Sequence, residues 1–150
     1  EMVENYARAY GFEAITLRYC GVWMKRDVHW LVDLIEPCRR GELPADPWFG
    51  CYVAAQDVAQ SVRLALQYQF AGEEADRHEA FYIMADTTFY PVPTLDVMKR
   101  VFGELPELRD PGYYAANPFA PPFDIRKAKQ LLGYAPTRDW REIEQWEDQS

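Results

Sequence analysis

Apolar residues in this chain follow two spacings, one typical of α-helices and one typical of buried β-strands. Between Met2 and Tyr10 they recur with helical spacing, and Gly11 follows where a helix most easily ends. Residues 14–19 then form an apolar and β-branched run after a very short connection, which predicts a strand. A helix joined so closely to a buried strand is typical of parallel α/β units.

Two longer helices are predicted further along the chain. The first starts at Asp27, which can cap it, and ends near Pro37 and Gly41. The second is the strongest in the chain, with Asp57 as its N-cap. Its predicted core-facing side consists of Val58, Val62, Ala65, Leu66 and Phe70.

Two further strands are predicted, at residues 48–54 and 80–84. Both are short runs of aromatic, apolar and β-branched residues, and the first is interrupted by Gly50. Strands and helices therefore alternate along the chain, which predicts the α/β class.

The C-terminal third is less regular. One helix is predicted to begin at Thr94 and end at Gly103, and another follows the candidate cap Asp124. Residues 105–122 contain five prolines and predict an irregular segment folded over a surface or pocket. The tail, residues 140–150, is acidic, but its two Trp residues predict that part of it docks on the domain.

Composition narrows the function more than it identifies it. The 150 residues fit one domain by length, and 49% hydrophobic residues are ample for a core. The net charge of -8 disfavours nucleic acid, which needs a basic face. No apolar run approaches the roughly 18 residues of a membrane span, so we expect no membrane partner and a cytoplasmic location. Three widely spaced cysteines and two histidines form no metal-binding pattern, so no metal site is predicted.

No local motif supports catalysis within the chain itself. The sequence lacks a G-x-G-x-x-G loop, a P-loop, an H-E-x-x-H pair and a G-x-S-x-G nucleophile turn. Its carboxylate pairs, such as Glu73 with Glu74, stand in polar surroundings, whereas acid–base work requires burial that raises the pKa. We therefore predict no catalytic residue in this sequence.

Several short segments follow one another in an informative order. They are Tyr10-Gly11, Ile15-Thr16-Leu17-Arg18-Tyr19, Tyr52-Val53 before Asp57-Val58-Ala59, Ala80-Phe81-Tyr82-Ile83, Lys127-Ala128 and Leu132-Gly133-Tyr134-Ala135-Pro136. In this order, over roughly the whole chain, they resemble the C-terminal half of the extended short-chain dehydrogenase/reductases, the NAD-dependent epimerase/dehydratase family.

The resemblance implies a Rossmann-like fold whose last elements are interleaved with a substrate-binding subdomain. It also implies that the glycine-rich dinucleotide loop and a Tyr-x-x-x-Lys catalytic pair lie in an N-terminal half upstream of Glu1. The cofactor of the intact protein would be NAD or NADP, and residues 1–150 alone would be inactive. The helix of residues 1–10 is a candidate homodimer contact.

The resemblance further places candidate site residues beyond the carboxyl end of strand 14–19, where ligands of open α/β sheets bind. The cofactor-binding candidates are Tyr19, Cys20, Gly21 and Val22. The candidates for binding a small-molecule substrate are Trp23, Trp48, Tyr52, Tyr90 and Tyr113. Aromatic faces suit the apolar sides of sugar rings, and we expect Trp23 to share a cavity with strand 48–54.

The substrate class depends on a missing clamp. Nucleotide-sugar members of the family hold the diphosphate with Asn at the equivalent of Gly21 and with Arg at the equivalents of Gly50 and the region near Tyr113. This chain lacks those side chains, so we expect a sugar, a sugar acid or a similar small hydroxyl or carbonyl compound. Epimerisation, dehydration and dehydrogenation all remain open. Two alternatives are a non-catalytic relative serving as a ligand sensor or interaction subunit, and a free-standing small α/β interaction domain.

Overall fold

The computed structural model describes residues 2–43, 49–70 and 77–146. Its strands are β1 (Ala14–Tyr19), β2 (Gly21–Trp23), β3 (Tyr52–Ala54) and β4 (His78–Ile83). Its α-helices are α1 (Met2–Tyr10), α2 (Val28–Arg39), α3 (Ala55–Gln67), α4 (Thr94–Phe102) and α5 (Pro111–Ala116). Shorter helical turns are the 3₁₀ turns Lys25–Asp27 and Trp140–Gln145 and the π-helical turn Ala128–Leu132. The predicted α/β class is confirmed.

The described strands form two parallel pairs, β1 with β4 and β2 with β3. Parallel neighbours must be joined by a long crossover connection. Between β1 and β4 this connection is the segment from β2 to α3. β1 ends at Tyr19 and β2 begins at Gly21, so Cys20 alone separates a strand of one sheet from a strand of the other.

One core fills the space between the β1/β4 sheet and α3. Ile15 and Leu17 of β1 pack there with Val58 and Leu64 of α3, against buried Phe81 of β4. Side chains alternate along a strand, so Thr16 and Arg18 point to the opposite face of the sheet. The two faces of β1 are therefore chemically different.

A second, larger core is built from aromatic residues. Trp23, Tyr52 and Phe89 pack in it together with Trp140 and Trp146 of the tail. Both tail tryptophans are at most 3% exposed, so the prediction that part of the tail docks is confirmed.

Asp57 has a different role from the predicted one. α3 begins at Ala55 after the cap residue Ala54, so Asp57 is the third helical residue and is not its N-cap. Its carboxylate is buried and accepts hydrogen bonds from the Thr137 backbone N–H at 3.1 Å, the Thr137 hydroxyl at 3.0 Å and the Arg138 N–H at 3.3 Å. Asp57 thus ties the start of the C-terminal tail to α3.

The helix beginning near Asp27 also differs in its ends. The 3₁₀ turn Lys25–Asp27 runs directly into α2, so Asp27 is itself helical and its side chain makes no capping hydrogen bond. Pro37 lies inside α2, which continues to Arg39. A proline removes one backbone N–H, and in the last turn of a helix that loss is confined to the end that frays first.

The strand predicted at residues 48–54 is shorter in the structure. Phe49 and Gly50 have φ angles of 55° and 70°, in the left-handed region, and only Tyr52–Ala54 is extended and paired. Residue 48 lies outside the described ranges. Local composition favours a strand here, but the turn at Phe49 and Gly50 prevents the strand from beginning before Tyr52.

The two edges of the β1/β4 sheet are unlike each other. On the β4 side, the Lys127 ammonium donates a hydrogen bond to the Ala80 carbonyl at 3.3 Å and pairs with Glu79 at 2.5 Å, which protects that edge. On the other side, no described strand pairs with β1, and none of its residues is fully buried. β1 is therefore an open edge strand among the described residues.

An open groove of about 360 Å³ lies between the start of β1 and the end of α3. Val62 and Leu66 line it, and they are 42% and 84% exposed. Their prediction as core residues is therefore wrong for the part of the chain described, because no described element covers this side of α3. The apolar spacing identified the side correctly, since it is apolar, but spacing does not say what packs on it.

We expect Asp57→Ala to destabilise the domain by about 1.5–3 kcal/mol, because two part-buried N–H groups and a hydroxyl lose their carboxylate acceptor. Urea unfolding measures the loss, and amide hydrogen exchange at Thr137 and Arg138 should quicken more than elsewhere. Asp33→Ala, at an exposed carboxylate of α2, is the matched control. Equal effects of the two substitutions would contradict the assigned role.

Candidate functional site

The carboxyl ends of β1 and β4 meet at one edge of their sheet, after Tyr19 and Ile83. The segment Cys20–Gly21–Val22 leaves the sheet here; Cys20 and Gly21 are half-buried, and Val22 is 39% exposed. These residues, with Tyr19, are the predicted cofactor-binding set. The structure brings them together at an accessible edge, and their binding role stays a prediction.

Tyr19 is oriented by α3. Its hydroxyl lies 3.5 Å from the Ser61 Oγ, and Ser61 in turn donates to the Val58 carbonyl at 2.7 Å. The Tyr19 side chain is therefore on the α3 side of the sheet, the side of Ile15 and Leu17. Any contact of Tyr19 with a ligand beyond the strand end would use its partly exposed ring or its backbone.

The predicted aromatic substrate residues come together, but as a packed core. The Trp23 ring stacks on Tyr52 with 4.8 Å between centroids and contacts Phe89 at 5.1 Å, and Phe89 packs edge-on against Tyr90 at 5.1 Å. All four are at most 3% exposed, so their faces contact one another rather than an open cavity. The substrate role of Trp23, Tyr52 and Tyr90 stays a prediction, and Trp48 lies outside the described residues.

Polar contacts lock this aromatic cluster further. The Tyr52 hydroxyl accepts a hydrogen bond from the Trp140 backbone N–H at 3.0 Å, and burial raises the pKa of Tyr52 above its ordinary value. Gly21 is held close to the same cluster, because a Cβ there would lie 3.2 Å from the Trp23 indole nitrogen. Tyr52 is therefore a neutral structural hydroxyl at neutral pH.

Gly50 is constrained both by its backbone and by its neighbours. Its φ of 70° disfavours any side chain, and a Cβ would lie 3.0 Å from the Tyr90 ring and 3.1 Å from the Thr88 Cβ. The position where a phosphate-binding Arg would stand in nucleotide-sugar members thus has no room for a side chain without rearrangement.

Tyr113 belongs to a different cluster, packed near Met98 and Ala120. The Arg126 guanidinium lies over its ring at 4.8 Å and pairs with Asp110 at 2.7 Å and Asp124 at 2.6 Å. Hydrogen bonds from Arg126 lower the pKa of both carboxyl groups, and burial raises the pKa of Tyr113. The cation beside Tyr113 is therefore already neutralised.

A further pair of residues at the same edge, Arg18 and Tyr82, is not among the site residues predicted from the sequence. Arg18 of β1 stands directly opposite Tyr82 of β4, on the sheet face away from α3. The Arg18 guanidinium donates to the Tyr82 hydroxyl at 3.3 Å and lies 5.5 Å from its ring centroid. A charged residue at an alternating position of an otherwise apolar strand was the available signal, but its partner is 64 residues away.

The described residues contain neither a metal-binding group nor a membrane-spanning helix. No group of three or more His, Cys, Asp or Glu side chains there converges as a metal site would require. None of the helices in those ranges combines the length and hydrophobicity needed to cross a bilayer.

Comparison with known proteins indicates the fold. No family model and no curated protein sequence matches this chain. The crystal structure of a UDP-glucose 4-epimerase with UDP-glucose from Thermotoga maritima is similar, with a TM-score of 0.52 and 23% sequence identity. The match covers 95% of this chain and 47% of that one, so the chain spans about half the length of the solved structure. The chain therefore has the fold of part of a Rossmann-like epimerase.

We expect Gly50→Ala to destabilise the domain by more than Gly103→Ala. Both glycines have positive φ angles, 70° and 81°, so both substitutions carry a backbone cost of about 1–2 kcal/mol. Only at Gly50 does the new methyl meet side chains, and we expect about 1–3 kcal/mol more from that overpacking. Urea unfolding of the two variants provides the comparison, and equal losses would show that Tyr90 and Thr88 move aside freely.

Proposed function

We propose that this chain is the substrate-binding half of an NAD(P)-dependent oxidoreductase, epimerase or dehydratase acting on a sugar, sugar acid or similar small hydroxyl or carbonyl compound. The proposal rests on the position of Cys20, which joins the carboxyl end of β1 to the start of β2 in the other sheet. There the chain leaves the carboxyl end of a parallel strand through residues that are half-buried or exposed, and ligands of open α/β sheets bind at such strand ends.

Two further observations support the proposal. The fold is that of part of an epimerase, and the likeness extends over 95% of the chain. Among the described residues β1 has an open edge, and this edge and the groove beside it suit the addition of further strands and a covering helix. In the complete protein, an N-terminal half would supply them, together with the catalytic Tyr and Lys that the family resemblance implies.

The residues at the edge suit the nicotinamide end of a dinucleotide rather than its phosphates. Cys20 and Gly21 are half-buried and Val22 is exposed, so this segment and the apolar side chain of Val22 would contact a flat amide-bearing ring. The sequence contains no G-x-G-x-x-G loop, so the phosphates would be bound by the other half. When bound, the nicotinamide exchanges a hydride with a substrate carbon. Val22 would exclude water from one side of it, and the backbone of residues 20–22 would orient it.

The substrate is proposed to lack a nucleoside diphosphate. A diphosphate needs charge-assisted contacts from Arg or Lys. Gly50 cannot accept a larger side chain without rearrangement, and Arg126 beside Tyr113 already pairs with two carboxylates. The positions that would bind a diphosphate thus hold either a glycine or an arginine whose charge is already balanced by carboxylates. This favours a free sugar or sugar acid as substrate.

We also propose that α1 contributes to a homodimer in the complete protein. Met2, Tyr6 and Tyr10 recur every four residues and are 76%, 55% and 72% exposed, with Tyr6 and Tyr10 stacked at 5.5 Å. An apolar stripe of this kind on a helix fits the same stripe of a second copy, packed around a two-fold axis.

The substrate class is tested on the full-length protein that contains this chain. We expect hydride transfer with free sugars or sugar acids, followed by nicotinamide absorbance, and no competition by UDP or dTDP. Arg26 and Arg109 are basic residues near Gly21 and Tyr113 in the sequence. Micromolar affinity for UDP or dTDP that is lost in Arg26→Ala or Arg109→Ala, but kept in the control Arg100→Ala, would contradict the proposed substrate class. It would mean that the clamp has moved to other arginines.

The dimer is tested by sedimentation of the same full-length protein over a range of concentrations. Tyr6→Glu should shift the population towards monomer, because it places charge in the apolar stripe. Val101→Glu, at a residue of α4 that is 58% exposed, should leave the distribution unchanged. A monomeric parent protein, or equal effects of the two variants, would rule out this contact.

A further inference from the structure

The face of the β1/β4 sheet away from α3 ends in three side chains that form a shelf. Arg18 and Tyr82 are cross-strand partners in the register, linked by the hydrogen bond and ring contact described above. Phe123 packs against Tyr82, with 5.1 Å between ring centroids, and is 37% exposed. We call these three residues the Arg18 shelf.

The shelf is positioned beside the proposed site. Arg18 immediately precedes Tyr19 in β1, and Tyr82 packs with Cys20 in a small cluster around buried Met84. A ligand on the shelf would therefore lie next to the segment Cys20–Gly21–Val22. The shelf and that segment therefore lie side by side at the carboxyl ends of β1 and β4.

The charge balance at this edge singles out Arg18. Three cations lie close together in the sequence, between residues 126 and 129, and each pairs with carboxylate: Arg126 with Asp110 and Asp124, Lys127 with Glu79, and Lys129 with Asp86. Across the described residues, Arg18 forms no ion pair, and its contacts are those to Tyr82. In a chain of net charge -8, such an exposed guanidinium is a preferred place for an anion.

The chemistry of the shelf suits a carboxylate. A guanidinium has five N–H donors in a planar fork that matches the two carboxylate oxygens, and the Tyr82 hydroxyl engages one of its nitrogens and limits its rotation. A single fixed cation balances one negative charge, whereas a diphosphate carries more. The rings of Tyr82 and Phe123 provide apolar surface for the C–H face of a sugar.

We propose that the Arg18 shelf binds the carboxylate of an acidic sugar, with Arg18 as the carboxylate ligand and Tyr82 as the residue that orients it. The sugar part of this inference rests on the function proposed above. It narrows the substrate class to a sugar acid, and it assigns the specificity for the acid group to one residue.

The test is a titration of the isotope-labelled full-length protein that contains this chain, followed by NMR, with a free hexuronate and with its neutral hexuronamide. We expect the acid to shift signals of Arg18 and Tyr82 and to bind at least about tenfold more tightly than the amide. Arg18→Gln should abolish this preference, and Arg18→Lys should retain only part of it, because a lysine lacks the fork. Arg100→Gln, at an exposed arginine in the last turn of α4, should retain all of it.

A second ligand separates this inference from the proposed function. Benzoate carries a carboxylate but no sugar hydroxyls. Arg18-dependent binding of both acids supports the shelf and the sugar-acid substrate. Arg18-dependent binding of benzoate alone supports the carboxylate site and contradicts the sugar substrate. If neither acid binds in an Arg18-dependent way, or if Arg100→Gln weakens them as much as Arg18→Gln, the proposal is overturned. Circular dichroism and urea unfolding establish that each variant is folded.

Discussion

The parallel pairing of β1 with β4 is the constraint on which the rest of the structure depends. Parallel neighbours cannot be joined by a tight turn, so the chain must leave the end of β1 and return to the start of β4. In doing so it forms β2, α2, β3 and α3, and the second parallel pair is part of the crossover. The same constraint brings the carboxyl ends of β1 and β4 to one edge and places Cys20 between the two sheets. The candidate site is a consequence of this topology.

A buried carboxylate closes the domain around that crossover. Asp57 on α3 accepts three hydrogen bonds from Thr137 and Arg138, and the tail beyond them inserts Trp140 and Trp146 into the aromatic core. A charge that is 1% exposed is costly unless donors surround it, so the tail and α3 stabilise each other. Because the Trp140 backbone N–H donates a hydrogen bond to the Tyr52 hydroxyl in the same core, the tail also stabilises β3.

Burial and charge separate the residues of this region into structural and accessible ones. Trp23, Tyr52 and Tyr90 are buried in one aromatic core next to the segment that leaves β1. Cys20, Gly21 and Val22 lie above them, half-buried or exposed, and Arg18 stands beside them without an ion pair among the described residues. The aromatic richness of the chain therefore builds a rigid support, while the groups available to a ligand are backbone, one guanidinium and the two rings next to it.

The sequence by itself determined the elements whose signal is local. Helical spacing predicted α1 and α4, a β-branched run predicted β1, and the order of short segments indicated an α/β fold that the structural comparison supports. The tertiary structure alone decided the partners. Asp57 is not a helix cap but accepts hydrogen bonds from residues 80 and 81 positions away. Leu66 is exposed, because no described element covers the apolar side of α3. Arg18 pairs with Tyr82 across the sheet. The physical reason is that periodicity is set by the backbone of each element, whereas contacts across a parallel crossover depend on how distant elements pack, which local spacing does not encode.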